Sequence, residues 1–295
     1  MASVQDIKRR IRSVRNTRKI TRAMELVAAA KLRRAQARIE AMRPYADRMT
    51  ELMAGTARAS TSLRQFPLLQ RRDVGTALVI PLTGDRGLAG AFNAQVLREA
   101  FAVERRLRAE GVEVRFGVSG KKGTSTLRFR RYEVERAWTG FSDRPEYHDA
   151  QAIAHHAAEL YANGEVDSVR IVYNHFESAL VQRVVDAEIL PIPEQALERE
   201  EDEREAALRG DFIYEPEPEQ ILARLLPVYV ETEIYRALLE SAASEQGARM
   251  TAMRNASKNA GELIDNLTLQ MNRARQAEIT QEILEVVAGA DALSG

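Results

Sequence analysis

Small and apolar side chains recur three and four residues apart through the first 58 residues of the chain, separated by charged positions. This spacing places them along one side of an α-helix, and its regularity predicts a coiled-coil helix over residues 1–58. Three polar residues, Arg18, Thr21 and Glu25, interrupt the seam in its middle. Pro44 removes a backbone donor, so we expect it to bend the helix or to mark a junction. The other seam positions are Val4, Ile7, Ile11, Val14, Ala28, Leu32, Ala35, Ile39, Met42, Ala46, Met49 and Met53.

A different pattern occupies residues 74–194. Short runs rich in Val, Ile and Leu, such as VGTALVIPL from Val74 to Leu82, are typical of buried strands, and they alternate with amphipathic stretches of helical spacing. Strands that alternate with helices predict a small open α/β domain of the Rossmann-like type, with parallel or mixed strands. Residues 195–217 are rich in acidic side chains, which is typical of a charged connecting segment on the surface.

The third pattern is again helical and runs from residue 218 to residue 288, with Pro227 near its beginning. At 1.5 Å per residue, the helix after Pro227 would be about 90 Å long and the first helix about 80 Å long. A middle domain of about 150 residues has a radius of gyration of only about 15 Å, so both helices must extend beyond it.

An isolated helix gains little stability from propensity alone, so each apolar stripe needs another surface to cover it. We expect the two terminal helices to cover each other and to pack antiparallel, because both leave the same domain. The predicted fold class is therefore α/β, with a long antiparallel coiled coil of the N- and C-terminal helices and a small open α/β (Rossmann-like) domain. The seam expected on the last helix consists of Tyr235, Leu239, Ala242, Met253, Ala256, Ala260, Leu263, Leu267, Ala274, Ala277 and Leu284.

The composition of the 295 residues removes several classes of function. The chain has no cysteine, which excludes disulfides, zinc thiolate sites and cysteine catalysis. Its longest apolar runs are far shorter than the roughly 20 residues needed to cross a bilayer, and no signal pattern opens it, so we expect a soluble protein. The net charge is zero, yet Lys and Arg dominate residues 1–50 whereas Asp and Glu dominate residues 194–220. This polarity indicates that the two regions face different partners.

Sequence motifs for an enzyme are weak. GDRGLAG, from Gly84 to Gly90, follows a predicted strand but lacks the glycine spacing of a dinucleotide-binding turn, and GVSGKKGTST lacks that of a P-loop. The four histidines suggest no metal site or catalytic triad, because two are adjacent on different helix faces and the others, His148 and His175, stand alone. We therefore expect no catalytic residue, no cofactor and no metal ion.

Two other classes of function stay open at this point. An α/β nucleotide enzyme with coiled-coil arms would bind a nucleotide by itself. A nucleic-acid or acidic-partner binder would use the basic residues 1–50, although Tyr45 is the one aromatic side chain there and the basic residues recur around the helix. Equilibrium dialysis with nucleotide and salt-dependent DNA binding distinguish these classes.

Several stretches of the sequence closely resemble the gamma subunit of F-type ATP synthases. They are IKRRIRSVRNTRKITRAMELVAAAKLRRAQ near the amino terminus, LTGDRGLAGAFN in the middle, DFIYEPEP before the last helix, and SEQGARMTAMRNASKNAGELIDNL with NRARQAEITQEILEVVAGA at the end. The resemblance covers nearly the whole chain in order, and the long motifs in both arms make it specific. It implies a central-stalk rotor of a proton-translocating ATP synthase, in which a turning membrane ring drives the catalytic beta subunits through different states to produce ATP from ADP and phosphate.

The resemblance also implies the partners of the chain. The coiled coil would stand inside a ring of three alpha and three beta subunits, and the globular part would rest on the epsilon subunit and the c ring. The delta subunit would belong to the same complex without extensive contact, and no nucleic acid is expected. The chain would be a non-catalytic subunit and a peripheral protein at the cytoplasmic face of a bacterial plasma membrane, since the cysteine pair and long insertion of photosynthetic versions are absent.

The contact regions of the family correspond to three groups of residues here. Contacts with a loop of beta are implied for Arg22, Met24, Lys31, Arg275, Gln276, Thr280 and Glu282. An apical bearing is implied for Val286, Val287 and Ala288, and a foot near epsilon and the c ring for Tyr214 and Glu215. Each assignment has a plainer alternative, in which the charged and polar side chains are only solvated and Met24 only fills space in a core.

Overall fold

The computed structural model describes residues 3–60, 62–179, 181–197 and 216–294. The helices in this part of the chain are α1 (Val4–Ala59), α2 (Phe92–Ala109), α3 (Lys121–Phe129), α4 (Tyr147–Ala162) and α5 (Pro218–Ser294). The strands are β1 (Thr76–Pro81), β2 (Glu113–Ser119), β3 (Val134–Trp138), β4 (Ser168–Phe176) and β5 (Gln182–Leu190). Pro44 lies inside α1, which continues past it to Ala59, so this proline marks no junction between elements.

By compactness the chain divides into two units. The terminal unit consists of residues 1–28 and 249–295, and the central unit consists of residues 29–248. α1 and α5 each contribute residues to both units. The division of the sequence into residues 1–58, 74–194, 195–217 and 218–288 stays a prediction, because it follows the type of element whereas the two units follow compactness.

In the terminal unit, α1 and α5 pack through a narrow apolar seam. Ile7 and Ile11 of α1 are buried together with Leu267 of α5. The side chains packed against this cluster are Val14, Ile264, Met271 and Ala274. Residues three and four apart on each helix therefore supply the contact, as the hydrophobic pattern predicts.

The two helices of the terminal unit run antiparallel. Arg18 lies beside Gly261, whereas Glu25, which comes later on α1, meets Arg254, which comes earlier on α5. Contact partners that rise in number on one helix and fall on the other are the signature of antiparallel packing. The predicted antiparallel pairing of the terminal helices is confirmed.

Part of the seam predicted on α5 is wrong. Leu263 is 47% exposed, and Ile264 packs in its place. The buried positions run from Ala260 to Ile264, four residues on, and then to Leu267, three residues on. The predicted order was three residues and then four, and hydrophobic spacing alone does not distinguish the two orders. Ala277 and Leu284 are also exposed, because α5 presents an exposed surface on every side from residue 275 to residue 288.

The central unit contains a five-stranded sheet of order β3-β2-β1-β4-β5. β1 pairs in parallel with β2 and β4, β2 pairs in parallel with β3, and β5 is an antiparallel strand beside β4. β1 is covered on both faces, because Leu78 and Ile80 enter one core while Ala77 and Val79 enter the other. This mixed sheet with the terminal helices confirms the predicted α/β fold class.

Helices cover both faces of the sheet. α2 and α3 pack on one face, where Val96 and Leu127 are buried. α4 packs on the other face together with parts of α1 and α5, which contribute Met53 and Leu222 to the same core. The connection from each parallel strand through a helix back to the sheet is the arrangement that alternating strands and helices predict.

α3 and β3 were not predicted from the sequence. α3 has only nine residues, KKGTSTLRF, whose glycine, serine and threonines are weak helix formers. β3 has five residues, VERAW, at the edge of the sheet, where Glu135, Arg136 and Ala137 are exposed. Neither segment carries enough periodic apolar positions to be recognised locally.

Candidate partner-binding surfaces

A buried carboxylate lies in the polar gap of the α1 seam. Glu25 is 5% exposed; its Oε2 accepts a hydrogen bond from Arg22 Nη1 at 2.7 Å, and its Oε1 accepts one from Arg254 Nε at 3.0 Å. The hydrogen bond from Arg254, followed by that from Arg22, holds the pKa of Glu25 below its usual value of 4.5 despite burial. Both arginine side chains stay more than half exposed, so they present positive charge at the surface of the terminal unit.

Met24 and Lys31, the other two α1 residues predicted to contact beta, are less available to a partner. Met24 is half-buried, so only part of its side chain is open to a partner. Lys31 belongs to the central unit, where its ammonium group pairs with the carboxylate of Asp143. The second oxygen of Asp143 accepts a hydrogen bond from Gln246 Nε2 at 2.7 Å. The charge of Lys31 is therefore compensated within the chain.

The polar residues predicted near the end of α5 are all exposed. Arg275 and Gln276 have no side-chain ion pair or hydrogen bond with any described residue. Thr280 Oγ1 donates a hydrogen bond to the backbone carbonyl of Gln276 at 2.9 Å, and Glu282 is exposed two residues further on. These four side chains lie within about two turns of helix, so one partner surface can contact them together.

The predicted apical bearing lies on a bare stretch of α5. Val286 is 72% exposed and Val287 is 50% exposed, and Ala288 is exposed as well. Other large apolar side chains exposed in the same stretch are Ile279, Ile283 and Leu284. At 100° per residue these apolar side chains fall on one side of the helix, and an exposed apolar stripe of this kind indicates an apolar surface on a partner. Tyr214 and Glu215, the predicted foot, lie outside the described residues.

The usual ligand position of an open α/β sheet is filled by α5. Such sheets bind ligands beyond the carboxyl ends of their strands where the strand order reverses, which here is between β1 and β4. Ser244 Oγ of α5 donates a hydrogen bond to the carbonyl of Asn174 near the end of β4 at 3.1 Å. Glu245 is 2% exposed, and its carboxylate lies so close to Gly84 after β1 that an added Cβ would be 2.9 Å away.

A second carboxylate fills the neighbouring anion position. Asp85 accepts backbone hydrogen bonds from Lys121, the first residue of α3, at 3.0 Å, from Gly140 at 2.9 Å and from Ser142 at 3.2 Å. Backbone N–H groups at a helix N-terminus hold phosphate in this way in nucleotide-binding folds. Here Asp85, a side chain of the chain itself, accepts hydrogen bonds from those N–H groups.

The role of the polar residues at this edge of the sheet was not predicted from the sequence. Within α5, Ser241, Ser244, Glu245 and Gln246 are all buried. Their one visible signal is a cluster of polar side chains inside an otherwise apolar helical stretch, which is unusual for a buried helix. Their burial follows from the sheet edge beneath them, and that edge is formed by distant parts of the chain.

Two histidines also connect the central elements to α5. His155 Nε2 of α4 lies 2.9 Å from Glu231 Oε1, and His175 Nδ1 of β4 lies 2.5 Å from Glu240 Oε2. The sequence does not show the carboxylate partner of His175, because α5 passes beside β4 only in the folded chain. Within the described ranges, no group of three or more His, Cys, Asp or Glu side chains is placed to hold a metal ion.

Comparison with known proteins identifies relatives over the whole chain. A family model described as ATP synthase matches residues 3–293. The ATP synthase gamma chain of Rubrobacter xylanophilus is 47% identical over 294 residues, covering 100% of this chain and 99% of that protein. The ATP synthase gamma chain of Moorella thermoacetica is 48% identical over 293 residues, covering 99% of this chain and 100% of that protein.

Solved structures agree with these relatives. A chain of the central stalk and c ring of the Tetrahymena thermophila mitochondrial ATP synthase superposes with a TM-score of 0.60 at 29% identity, over 81% of this chain and 99% of that one. A chain of the Euglena gracilis mitochondrial ATP synthase superposes with a TM-score of 0.69 at 18% identity, over 98% of this chain and 94% of that one, and supports the fold. From the family model and the full-length relatives it follows that the chain belongs to the ATP synthase gamma chain family.

Proposed function

We propose that the chain is the rotating central-stalk subunit of a proton-translocating F-type ATP synthase. In this function it couples rotation of a membrane c ring to conformational change in the catalytic beta subunits, which produce ATP from ADP and phosphate. The observation that carries the proposal is the similarity to gamma chains over 100% of the chain at 47% identity. A rotor needs both its terminal helices and its central domain, and the similarity spans all of them.

The exposed end of α5 fits a helix that rotates inside a surrounding surface of partner subunits. Fully burying one large aliphatic side chain stabilises a complex by about 1.5–3 kcal/mol, so covering the exposed Ile, Leu and Val side chains of residues 279–287 would hold the end in place. The hydrophobic effect has no preferred direction, and the helix can therefore turn in an apolar collar without breaking directional bonds. Val286, Val287 and Ala288 would form this bearing.

The polar residues would transmit force to beta. Arg275 and Gln276 are exposed and would bond to a loop of beta, with Thr280 and Glu282 nearby. On α1, Arg22, held in place by its ion pair with Glu25, would face an acidic loop of beta. Met24 would pack at the edge of that loop. Lys31 would contribute less, because Asp143 already compensates its charge. Each exposed pair would stabilise the contact by about 0.2–1 kcal/mol, weak enough to be broken in every rotation step.

The chain itself would be non-catalytic. Glu245 fills the position between β1 and β4 where a nucleotide would bind, and Asp85 occupies the backbone N–H groups that would hold a phosphate. A bound phosphate would have to displace two carboxylates and would be repelled by them. We infer that the Rossmann-like domain serves as the body of the rotor and binds no nucleotide.

The remaining partners follow from the same proposal. The central unit would rest on the epsilon subunit and the c ring, with Tyr214 and Glu215 in the foot, and delta would lie in the same complex without extensive contact. The chain would therefore be held at the cytoplasmic face of a bacterial plasma membrane as a peripheral protein. No helix in the described part of the chain combines the length and apolarity needed to cross a membrane.

Co-purification of the chain with its neighbours tests the proposal. We would express the chain together with alpha, beta and epsilon subunits and measure the subunit ratio in the purified complex. One copy of the chain for three alpha and three beta subunits is the expected result. A hexamer that forms without the chain, or a chain that purifies alone and binds nucleotide saturably in equilibrium dialysis, would overturn the proposal.

A further inference from the structure

The outer side of α3 carries an exposed aromatic residue between cations. Phe129 is 88% exposed, and Lys122 and Ser125 lie seven and four residues before it on the same side of the helix. Leu127 and Gly123 lie on the opposite side and are buried against the sheet. The burial of one side therefore fixes the direction of the other, and α3 holds Phe129 away from the core of the chain.

The charges around Phe129 are almost all positive. Arg128 and Arg131 have no ion-pair partner in the described part of the chain, and both are exposed. Arg130 stacks over the ring of Phe101 with its guanidinium carbon 4.5 Å from the ring centre, which leaves its charge uncompensated by a carboxylate. Between residues 121 and 133 the sequence has two lysines and three arginines but a single acid, Glu133.

Two residues beside α3 adopt the left-handed backbone conformation. Arg131 follows the helix with φ of 63°, and Leu88, in the loop beside Lys122, has φ of 62° and is 65% exposed. At Arg131 this conformation closes the end of α3, because the N–H groups of Arg131 and Tyr132 donate to the carbonyls of Arg128 and Leu127, both at 3.0 Å. The side chains of Leu88 and Phe129 stay exposed beside these turns. Large apolar side chains exposed near one another are characteristic of surfaces that bind a partner.

We propose that Leu88, Lys122, Ser125, Arg128, Phe129 and Arg131, here called the α3 surface, form a docking site for an acidic segment of another polypeptide. Carboxylates of that segment would pair with Arg128, Arg131 and Lys122, and one of its apolar side chains would cover Phe129. Charged groups of opposite sign would set the orientation of the partner, while the aromatic ring would supply most of the affinity.

Other occupants fit the α3 surface less well. Single-stranded nucleic acid uses several aromatic rings for successive bases, whereas this surface offers only Phe129. Binding to a lipid surface uses a continuous apolar face along an amphipathic helix, whereas α3 alternates Lys122, Ser125 and Phe129 on its exposed side. Two apolar side chains, Leu88 and Phe129, among exposed cations instead match a short acidic peptide segment with apolar anchors.

A photoreactive residue at position 129 tests the proposal in the assembled complex. We would replace Phe129 with p-benzoylphenylalanine, purify the complex, irradiate it and locate the cross-link by mass spectrometry. Cross-linking to a protein segment in which Asp and Glu outnumber Lys and Arg is the expected result. No cross-link, or a cross-link to a neutral or basic segment, to lipid or to nucleic acid, would overturn the proposal.

A charge-reversed variant tests the electrostatic part. Lys122→Glu combined with Arg128→Glu should reduce the yield of the cross-link at position 129 at least fivefold, because both cations would become repulsive towards an acidic segment. A matched variant with Arg64→Glu and Arg224→Glu, both exposed elsewhere in the chain, should leave the yield unchanged. Equal loss in both variants, or no loss in the first, would contradict the assigned surface.

This experiment rests on the proposed assembly, so a second probe position keeps the two hypotheses separate. The same photoreactive residue at Ile283, which is 58% exposed on α5, should cross-link to alpha or beta. Cross-linking at position 283 without cross-linking at position 129 would reject the α3 surface alone. Failure at both positions would reject the proposed function.

Discussion

The hydroxyl of Ser244 on α5 donates a hydrogen bond to the backbone carbonyl of Asn174 on β4 at 3.1 Å, and both residues are buried. The contact lies at the carboxyl edge of the sheet, where a related fold would bind a ligand. Here the same edge holds a helix that continues into the terminal unit. In a rotor, force on the central sheet would pass to α5 through this contact and its neighbours.

Removing the Ser244 hydroxyl should destabilise the chain. Ser244→Ala leaves the Asn174 carbonyl without its buried donor, so we expect the free energy of unfolding to fall by about 1–3 kcal/mol. Urea denaturation of the isolated chain, followed by circular dichroism, measures the change. Ser125→Ala is the control, because this serine is exposed on α3, and its effect should stay within about 0.5 kcal/mol. Equal midpoints for the two variants would contradict the contact.

Gly120 and Gly111 allow a test of backbone strain against lack of space. Both have positive φ, 93° and 84°, but a Cβ at Gly120 would lie 2.1 Å from the carbonyl oxygen of Thr83, whereas Gly111 has no atom within 4 Å of that position. Gly111→Ala should therefore cost about 1–2 kcal/mol, from strain alone. Gly120→Ala should cost about 3 kcal/mol or more, because the strand ends must also separate.

Thermal unfolding of the two glycine variants decides between these costs. The lower unfolding temperature, or a loss of soluble protein, should occur for Gly120→Ala. If Gly111→Ala is the less stable of the two, the close approach of the backbone at Gly120 is wrong.

The stability of the terminal unit should depend on the charge of Glu25. Its pKa in the folded state lies below the usual value of 4.5, so its contribution is fully present above that pH and is lost as the pH falls through the lower folded-state pKa. Glu25→Gln should therefore destabilise the chain by about 1 kcal/mol at pH 7, and the difference from the natural chain should disappear at strongly acidic pH.

Urea denaturation at a series of pH values measures this dependence. Glu40→Gln is the matched control, since Glu40 is exposed on the same helix and forms no ion pair with a described residue. Its difference from the natural chain should stay small at every pH. A difference for Glu25→Gln that does not change between pH 7 and acidic pH would contradict the two hydrogen bonds from Arg22 and Arg254.

The end of α5 should matter for coupling and not for folding. Replacing Arg275 and Gln276 together with Ala should lower coupled ATP synthesis and hydrolysis of the reconstituted complex about twofold to tenfold, because their contacts with beta would be lost. The stability of the isolated chain should change by less than about 0.5 kcal/mol, since both side chains are exposed. Lys258→Ala with Asn259→Ala, also exposed on α5, is the control. Unchanged turnover in the first variant would reject the assigned contact.

Much of the fold could be predicted from the sequence because helices are local. Each hydrogen bond of α1 joins residues four apart, so the spacing of Ile7 and Ile11 already indicates which side of that helix is buried. The parallel strands were recognisable because burial on both faces requires continuous apolar runs, as in β1. α3 and β3 were missed because short elements whose residues are polar or have low helix or strand propensity take their structure from their neighbours.

The candidate contact residues also fall into two groups, those that the sequence located and those whose contacts it did not show. The resemblance located Arg275, Gln276 and the apolar end of α5, and these side chains are exposed in the structure. It did not show that Lys31 is paired with Asp143, because 112 residues separate them in the chain. Such a pairing depends on how the loop before α4 meets α1, which no local spacing encodes.

By itself, the sequence determined the two long terminal helices, the alternation of strands and helices between them, and the family to which they point, because each depends on short-range periodicity or on continuous motifs. The tertiary structure alone decided what fills the carboxyl edge of the sheet. Glu245 meets Gly84, and Asp85 meets the start of α3, only after distant segments have packed. Side chains close in space but far apart in the chain are joined by the packing of whole elements, and no local pattern records that packing.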